Sequence, residues 1–250
     1  MKKLILFFVV LFVFCHPSNA QNDTMYIMKN GVTIGKYNVN SQVDSVIFYK
    51  PQPPNSGTFT DSRDGNVYKW VKIGNQIWMA ENLKYLPSVV GHETGSKTTP
   101  CYYVYGYNGT SLTTAKTVSN YITYGVLYNW RAACSSCPLG WHLPSDAEWI
   151  QLTNYLGGES IAGGKLKETG ITHWLSPNTG ATNQTGFTAL PSGRRDIDGF
   201  WGILNHSSWW SYTQDSSTSS WYYFMHYDYN NLYRHNNPNE LGFSVRCLKD

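Results

Sequence analysis

The sequence predicts an α+β domain with two short helices, antiparallel sheets and long loops, preceded by a small β unit. Three observations predict it. Val67-Tyr-Lys-Trp-Val-Lys-Ile73 alternates, Gly74-Asn75 turns the chain, and Gln76-Ile-Trp-Met-Ala80 returns, which is a β-hairpin. Ser145 and Glu148 have the spacing of a capping box at the start of a helix. Gly242-Phe-Ser-Val-Arg-Cys247 reads as a closing strand that carries a cysteine.

From the N-terminus, Lys2 and Lys3 precede an unbroken apolar run from Leu4 to Cys15, and Ser18-Asn19-Ala20 offers a small-residue cleavage site. This predicts a signal peptide over residues 1–20, since the run is too short for a bilayer span of about 20 residues. Phe14 stands before Cys15 where a lipid-anchored chain needs a small residue, so the expected product is secreted or surface-exposed without a lipid anchor. No later stretch is apolar enough for a transmembrane segment in the mature chain.

Residues 21–50 predict the small β unit, with Asn30-Gly31 placed for a type I′ turn and a further strand through Val43 and Val46-Ile-Phe-Tyr49. Residues 51–57 are rich in proline, which lacks the N–H that a strand needs, and predict a linker. The main domain is expected over 58–250. Within it, residues 86–120 read as long loops with short strands. Tyr124-Gly-Val-Leu-Tyr-Asn-Trp-Arg-Ala-Ala133 predicts a short helix, with Leu127 and Trp130 on one face. In the second helix, Ser145 caps the N–H of Glu148, Trp149, Leu152 and Leu156 form the apolar stripe, and Gly157-Gly158 stops it. Short strands follow. Trp221-Tyr-Tyr-Phe-Met-His-Tyr227 and Phe243-Ser-Val-Arg-Cys247 read as strands of one sheet.

Loss of the leader removes Cys15 and leaves Cys101, Cys134, Cys137 and Cys247. An even count in an exported chain predicts two bridges, with three possible connectivities. The favoured pairing joins Cys137 to Cys247 and Cys101 to Cys134. The first closes a loop of roughly 110 residues, worth about 4–5 kcal/mol in the chain-entropy model. A Cys134-x-x-Cys137 redox or metal pair is the rival, and no second pair completes a zinc site.

The net charge of +3 over 250 residues, with no basic run, excludes nucleic acid as a partner class. Aromatic residues make up 16%, including 10 Trp and 19 Tyr, and much of this is expected in the core, where such rings bury large areas. Such residues also line sugar sites and protein interfaces. Tyr227, Asp228, Tyr229, Asn230, Asn231 and Tyr233 form the candidate ligand surface, because flat rings beside amides suit a sugar ring or a protein loop. Trp209, Trp210 and Trp141 are assigned to the core.

No catalytic constellation is found, so the chain is expected not to be an enzyme. No metal site and no cofactor are expected. Ca²⁺ is the one alternative weighed. Asn237-Pro-Asn239-Glu240 reads as a turn before the last strand rather than a calcium loop, and Asp196-Ile-Asp198-Gly199 lacks the distal ligands of one.

Three segments are decisive in combination: Ile77-Trp-Met-Ala-Glu-Asn-Leu83, Tyr124-Gly-Val-Leu-Tyr-Asn-Trp130 and Cys137-Pro-Leu-Gly-Trp-His-Leu-Pro-Ser-Asp-Ala-Glu-Trp149. With Gly186-Phe-Thr-Ala-Leu-Pro-Ser-Gly-Arg194, Trp209-Trp-Ser211 and Gly242-Phe-Ser-Val-Arg-Cys247, they resemble the Fibrobacter succinogenes major paralogous domain over roughly residues 58–250. The resemblance implies an exported or surface domain of Bacteroidetes-type bacteria with no assigned chemistry. His142-Leu-Pro-Ser-Asp-Ala-Glu-Trp149 and Gly242-Phe-Ser-Val-Arg246 are also similar to pieces of formylglycine-generating sulfatase-modifying domains, which implies a C-type-lectin-like fold. That enzyme needs a cysteine pair late in the domain, and residues 138–246 contain none. The expected function is therefore a non-catalytic exported binding module that presents loops at 86–120 and 212–240 to a glycan or surface protein. A polysaccharide-active enzyme or its accessory domain is one alternative, and a structural surface or assembly protein is another.

Overall fold

A computed structural model describes residues 24–29, 32–38 and 55–250. The expected signal peptide, the Asn30-Gly31 turn, the strand through residues 43–49 and linker residues 51–54 lie outside the described residues. The chain divides into two compact units, Met1–Pro53 and Pro54–Asp250. In the first, β1 (Thr24–Lys29) and β2 (Val32–Asn38) pair antiparallel, with a register shift between Ile27 and Met28.

The second unit is a mixed α+β structure. One sheet has the order β3-β4-β5-β14-β8, from β3 (Ser56–Thr60), β4 (Val67–Ile73), β5 (Gln76–Met79), β14 (Leu248–Lys249) and β8 (Trp141–His142). The other has the order β10-β9-β11-β12-β13, from β9 (Ser192–Asp196), β10 (Gly199–Ile203), β11 (His206–Gln214), β12 (Ser219–His226) and β13 (Tyr233–Pro238). All its neighbours run antiparallel except β9 and β11, which meet in parallel at Gly193 and Ser207. A short pair, β6 (Tyr102–Tyr103) and β7 (Leu127–Tyr128), completes the strands. The predicted hairpin is β4–β5, with Gly74 at φ +62° in its turn. β3 starts inside the expected linker. Gly57 pairs with Trp70 there, and a Cβ on Gly57 would meet the Trp70 ring at 2.7 Å.

The described residues hold more helix than the two short helices expected: α1 (Leu112–Thr117), α2 (Ser119–Tyr124), α3 (Trp130–Ser136), α4 (Asp146–Tyr155) and α5 (Glu159–Leu166). The single helix expected over 124–133 is corrected. Gly125, at φ +79°, ends α2, and residues 127–128 become β7. Asn129 then caps α3 by accepting from the N–H of Ala132. Long-range pairing of Tyr128 with Phe243 overrides the local helical pattern. α1 and α2 fall in the stretch expected to be loop. α5 is hidden in the sequence by Gly163 and Gly164, which weaken helical propensity. These glycines let a neighbouring loop approach: a Cβ on Gly163 would collide with the carbonyl of Asn231.

α4 matches its prediction. The N–H of Glu148 donates to Ser145 Oγ at 3.3 Å, and the N–H of Ser145 donates to Glu148 Oε2 at 2.7 Å. Trp149, Leu152 and Leu156 are buried. Glu148 Oε1 also lies 3.0 Å from His142 Nε2, and Asp250 sits on the other ring nitrogen at 2.6 Å.

The closing segment is the second correction. Residues 242–244 make single bridges to β9, β7 and β11 in turn, rather than forming a strand of one sheet with Trp221–Tyr227. Gly242 bonds reciprocally with Arg195, Phe243 with Tyr128, and Ser244 with Ser208 and Trp210. The carbonyls of Val245 and Cys247 then accept from Leu83 and Met79. Cys137 and Cys247 are disulfide-bonded, with Cα atoms 5.9 Å apart. Cys101 and Cys134 are free thiols, against the expected bridge. The N–H of Cys101 donates to Asn129 Oδ1 at the start of α3, whereas Cys134 lies roughly one and a half turns farther along. Burial pushes the Cys134 thiol up to about 12.

Arg246 is buried with neutral partners. It donates to Asn82 Oδ1 at 2.8 Å and to the carbonyls of Met79, Phe187 and Thr188. Burial lowers its pKa to about 9. It ties β5, the 187–188 loop and the closing segment together.

Candidate functional site: an aromatic groove

The groove arises from cross-strand register. Side chains of a strand alternate between faces, so Tyr222, Phe224 and His226 of β12 share one face. β11 places His206 opposite His226, and β13 places Tyr233 opposite Phe224. In the β9–β10 hairpin, Trp201 lies opposite Arg194. Tyr229, from the turn between β12 and β13, closes the end. Together these residues line a cavity of about 370 Å³, within the roughly 300–1,000 Å³ range of small-molecule sites.

The rings form a chain of contacts. Trp201 to His206 is 5.1 Å, His206 to Phe224 is 5.2 Å, and Phe224 to Tyr233 is 4.9 Å. Tyr229 meets Tyr233 edge-on at 6.1 Å. These spacings are those of favourable aromatic pairs. Trp201 is 46% exposed and Tyr229 is 50% exposed. Large aromatic faces are thus held in place yet left open to solvent.

Polar groups punctuate the rings. Arg194 lies 4.7 Å over the Trp201 ring and binds Asp196 at 2.9 Å. Its Nε is buried with no acceptor among the described residues. His226 Nδ1 bonds to Asp228 Oδ1. His206 bonds to Ser208 Oγ at 2.7 Å. Burial first, then the charges of Arg194 and His226, pull the His206 pKa down to about 3, so it is neutral at ordinary pH.

Beneath the turn, Lys167 is buried. Its Nζ donates to the carbonyls of His226 at 3.1 Å and Tyr229 at 2.8 Å, with the Trp174 ring 5.5 Å away. Burial lowers its pKa to about 8, against the opposing charge of Asp228. The N–H of Gly164 donates to the carbonyl of Asn230 at 2.9 Å. The turn carrying Tyr229 is therefore pinned by α5 and Lys167.

The candidate residues separate accordingly. Tyr229 and Tyr233 line the groove, and Asp228 holds a groove histidine. Tyr227 packs against the core on the α4 side. Asn230 and Asn231 meet α5 through their backbone, and Asn230 Oδ1 is buried without a partner. Arg194, Trp201, His206, Phe224, His226 and Lys167 were not singled out from sequence. The alternation of Trp221–Tyr227 was a usable signal for Phe224 and His226.

Elsewhere, Asn239 is a structural residue. Its Oδ1 accepts from Ser220 at 2.7 Å and its carbonyl from the N–H of Trp130 at 2.9 Å. Asp196 turns the β9–β10 hairpin, accepting from the N–H of Ile197 at 3.0 Å. Among the described residues no three His, Cys, Asp or Glu side chains converge as a metal site, and no helix is long and apolar enough to cross a membrane.

Residues 71–249 match the family described as the Fibrobacter succinogenes major domain. No curated protein and no solved structure matches the chain.

Proposed function

The chain belongs to the Fibrobacter succinogenes major domain family, and on that premise we propose that it is an exported, non-catalytic binding module whose groove between β10 and β13 takes a glycan at the cell surface or outside the cell. In this reading the scaffold is C-type-lectin-like, but the sugar is held by aromatic faces and needs no Ca²⁺. One observation carries it. Trp201, Phe224, Tyr229 and Tyr233 form a pre-built aromatic wall, partly exposed, with Arg194 and His226 at its margin. Sugar rings offer apolar C–H faces to such walls and hydroxyls to such margins, and pre-formed pockets with few polar groups are the usual form of a ligand site. The disulfide favours an oxidising compartment.

A glycan array with and without Ca²⁺ tests the reading. Specific sugar binding, unchanged by chelator and lost in Tyr229→Ala and Tyr233→Ala, is the expected result. A flat array beside a reproducible protein pull-down would transfer the groove to a protein partner. Turnover of a polysaccharide would remove the non-catalytic assignment.

A further inference from the structure

A second depression adjoins the groove. It measures about 230 Å³ and is lined by Arg194, Asp196, Asp198, Gly199, Phe200 and Trp201. Arg194 and Trp201 therefore belong to both depressions. The Trp201 indole is 46% exposed and lines both of them. The smaller hollow lies below the roughly 300–1,000 Å³ of a site that holds a whole small molecule. It has the size of a part-site that continues its larger neighbour.

Its chemistry differs from that of the groove. Asp196 is bound to Arg194 at 2.9 Å and also accepts from the backbone of Ile197. Asp198 adds a second carboxylate, so one guanidinium faces two carboxylates and the hollow carries a net charge of about −1. Carboxylates accept hydrogen bonds from hydroxyls and repel acidic groups.

Resting on the glycan reading above, the geometry points to an uncharged oligosaccharide laid across Trp201, with one ring in the aromatic groove and the next in the acidic hollow. The ligand unit is then a chain of at least two rings rather than a single sugar. Uronic acid or sulfated chains are disfavoured at the second position. Trp201 supplies the shared stacking face and Asp198 accepts hydroxyls of the second ring.

Calorimetric titration with cello-, xylo-, manno- and chito-oligosaccharides of one to six units, and with oligogalacturonates of equal length, tests this. Affinity for the accepted neutral series should rise roughly tenfold between one unit and three, about 1.4 kcal/mol, then level off. Trp201→Ala should abolish that length gain, with circular dichroism and melting unchanged because the side chain is half exposed. Asp198→Asn should narrow the preference for neutral over acidic chains. Equal affinity for one unit and three, or a preference for oligogalacturonates, overturns the two-ring site but leaves the glycan reading standing. Absence of any sugar binding by folded protein overturns the glycan reading, and the two-ring site with it.

Discussion

On one face of β12, Tyr223 and Met225 are sealed against α4 and its neighbours. On the other, Phe224 and His226, one residue away, line an open groove. The closed face is filled. Tyr223 stacks on Trp149 at 4.9 Å, and Trp149 meets Trp78 at 4.7 Å. The Tyr223 hydroxyl donates to Asp146 Oδ1 at 2.8 Å, and Arg234 binds both oxygens of Asp146 while lying 3.3 Å over the Trp221 ring. The open face has the same ring chemistry, and among the described residues no helix contributes to its lining. Aromatic richness alone therefore does not distinguish the two faces; among the described residues the covering element does, and the uncovered rings are the surface proposed above for a ligand.

The contrast breaks most sharply at Trp149. Trp149→Ala should cost about 3–5 kcal/mol by chemical denaturation, because the indole is fully buried among other rings. A loss below 1 kcal/mol would show that the closed face is not the folding core. The next effect lies at the ion pair that fastens α4 to β13. Burial opposes the Asp146 charge, but bonds from Arg234 and Tyr223 outweigh it and hold its carboxyl below the usual 3.8. A lowered carboxyl stabilises the fold above its unfolded value, and that contribution is lost as pH falls through the folded value. Arg234→Ala should cost about 1–2 kcal/mol at neutral pH, reduced by the partial exposure of Arg234. The cost should shrink below pH 4. A penalty independent of pH would reassign Arg234 to packing on Trp221. The smallest effect belongs to the open face. Tyr229→Ala should change stability by no more than about 0.5 kcal/mol while removing ligand binding. A large destabilisation there would make Tyr229 part of the core and end the distinction between the faces.

The parts legible in the sequence are those written in a few adjacent residues or in one chemical type. The capping box of Ser145 and Glu148 was readable because an N-cap and its partner are always three apart. The Cys137–Cys247 bridge was one of a few pairings open to scarce cysteines. Cys101 was misassigned because an even count says nothing about distance. The helix expected through Leu127 failed because Tyr128 finds its partner at Phe243, far along the chain. The groove was half visible. Tyr229 and Tyr233 stand out as exposed rings in a polar turn. Trp201 joins them only through the registers of several strands, and register is fixed by non-local pairing. Asn230 and Asn231 stand out in the sequence for their amides, while the contact of their carbonyls with the glycines of α5 is written in no local pattern.

Residues 242–248 bond in turn to Arg195, Tyr128, Ser208, Leu83 and Met79, and Leu248 pairs with Trp78 and His142. Each sheet thus borrows a seam from the same short stretch. The unit should fold slowly, because so many of its contacts join distant parts of the chain. The ribbon is itself buried, so a substitution that displaces it should loosen both sheets of this unit together rather than one alone.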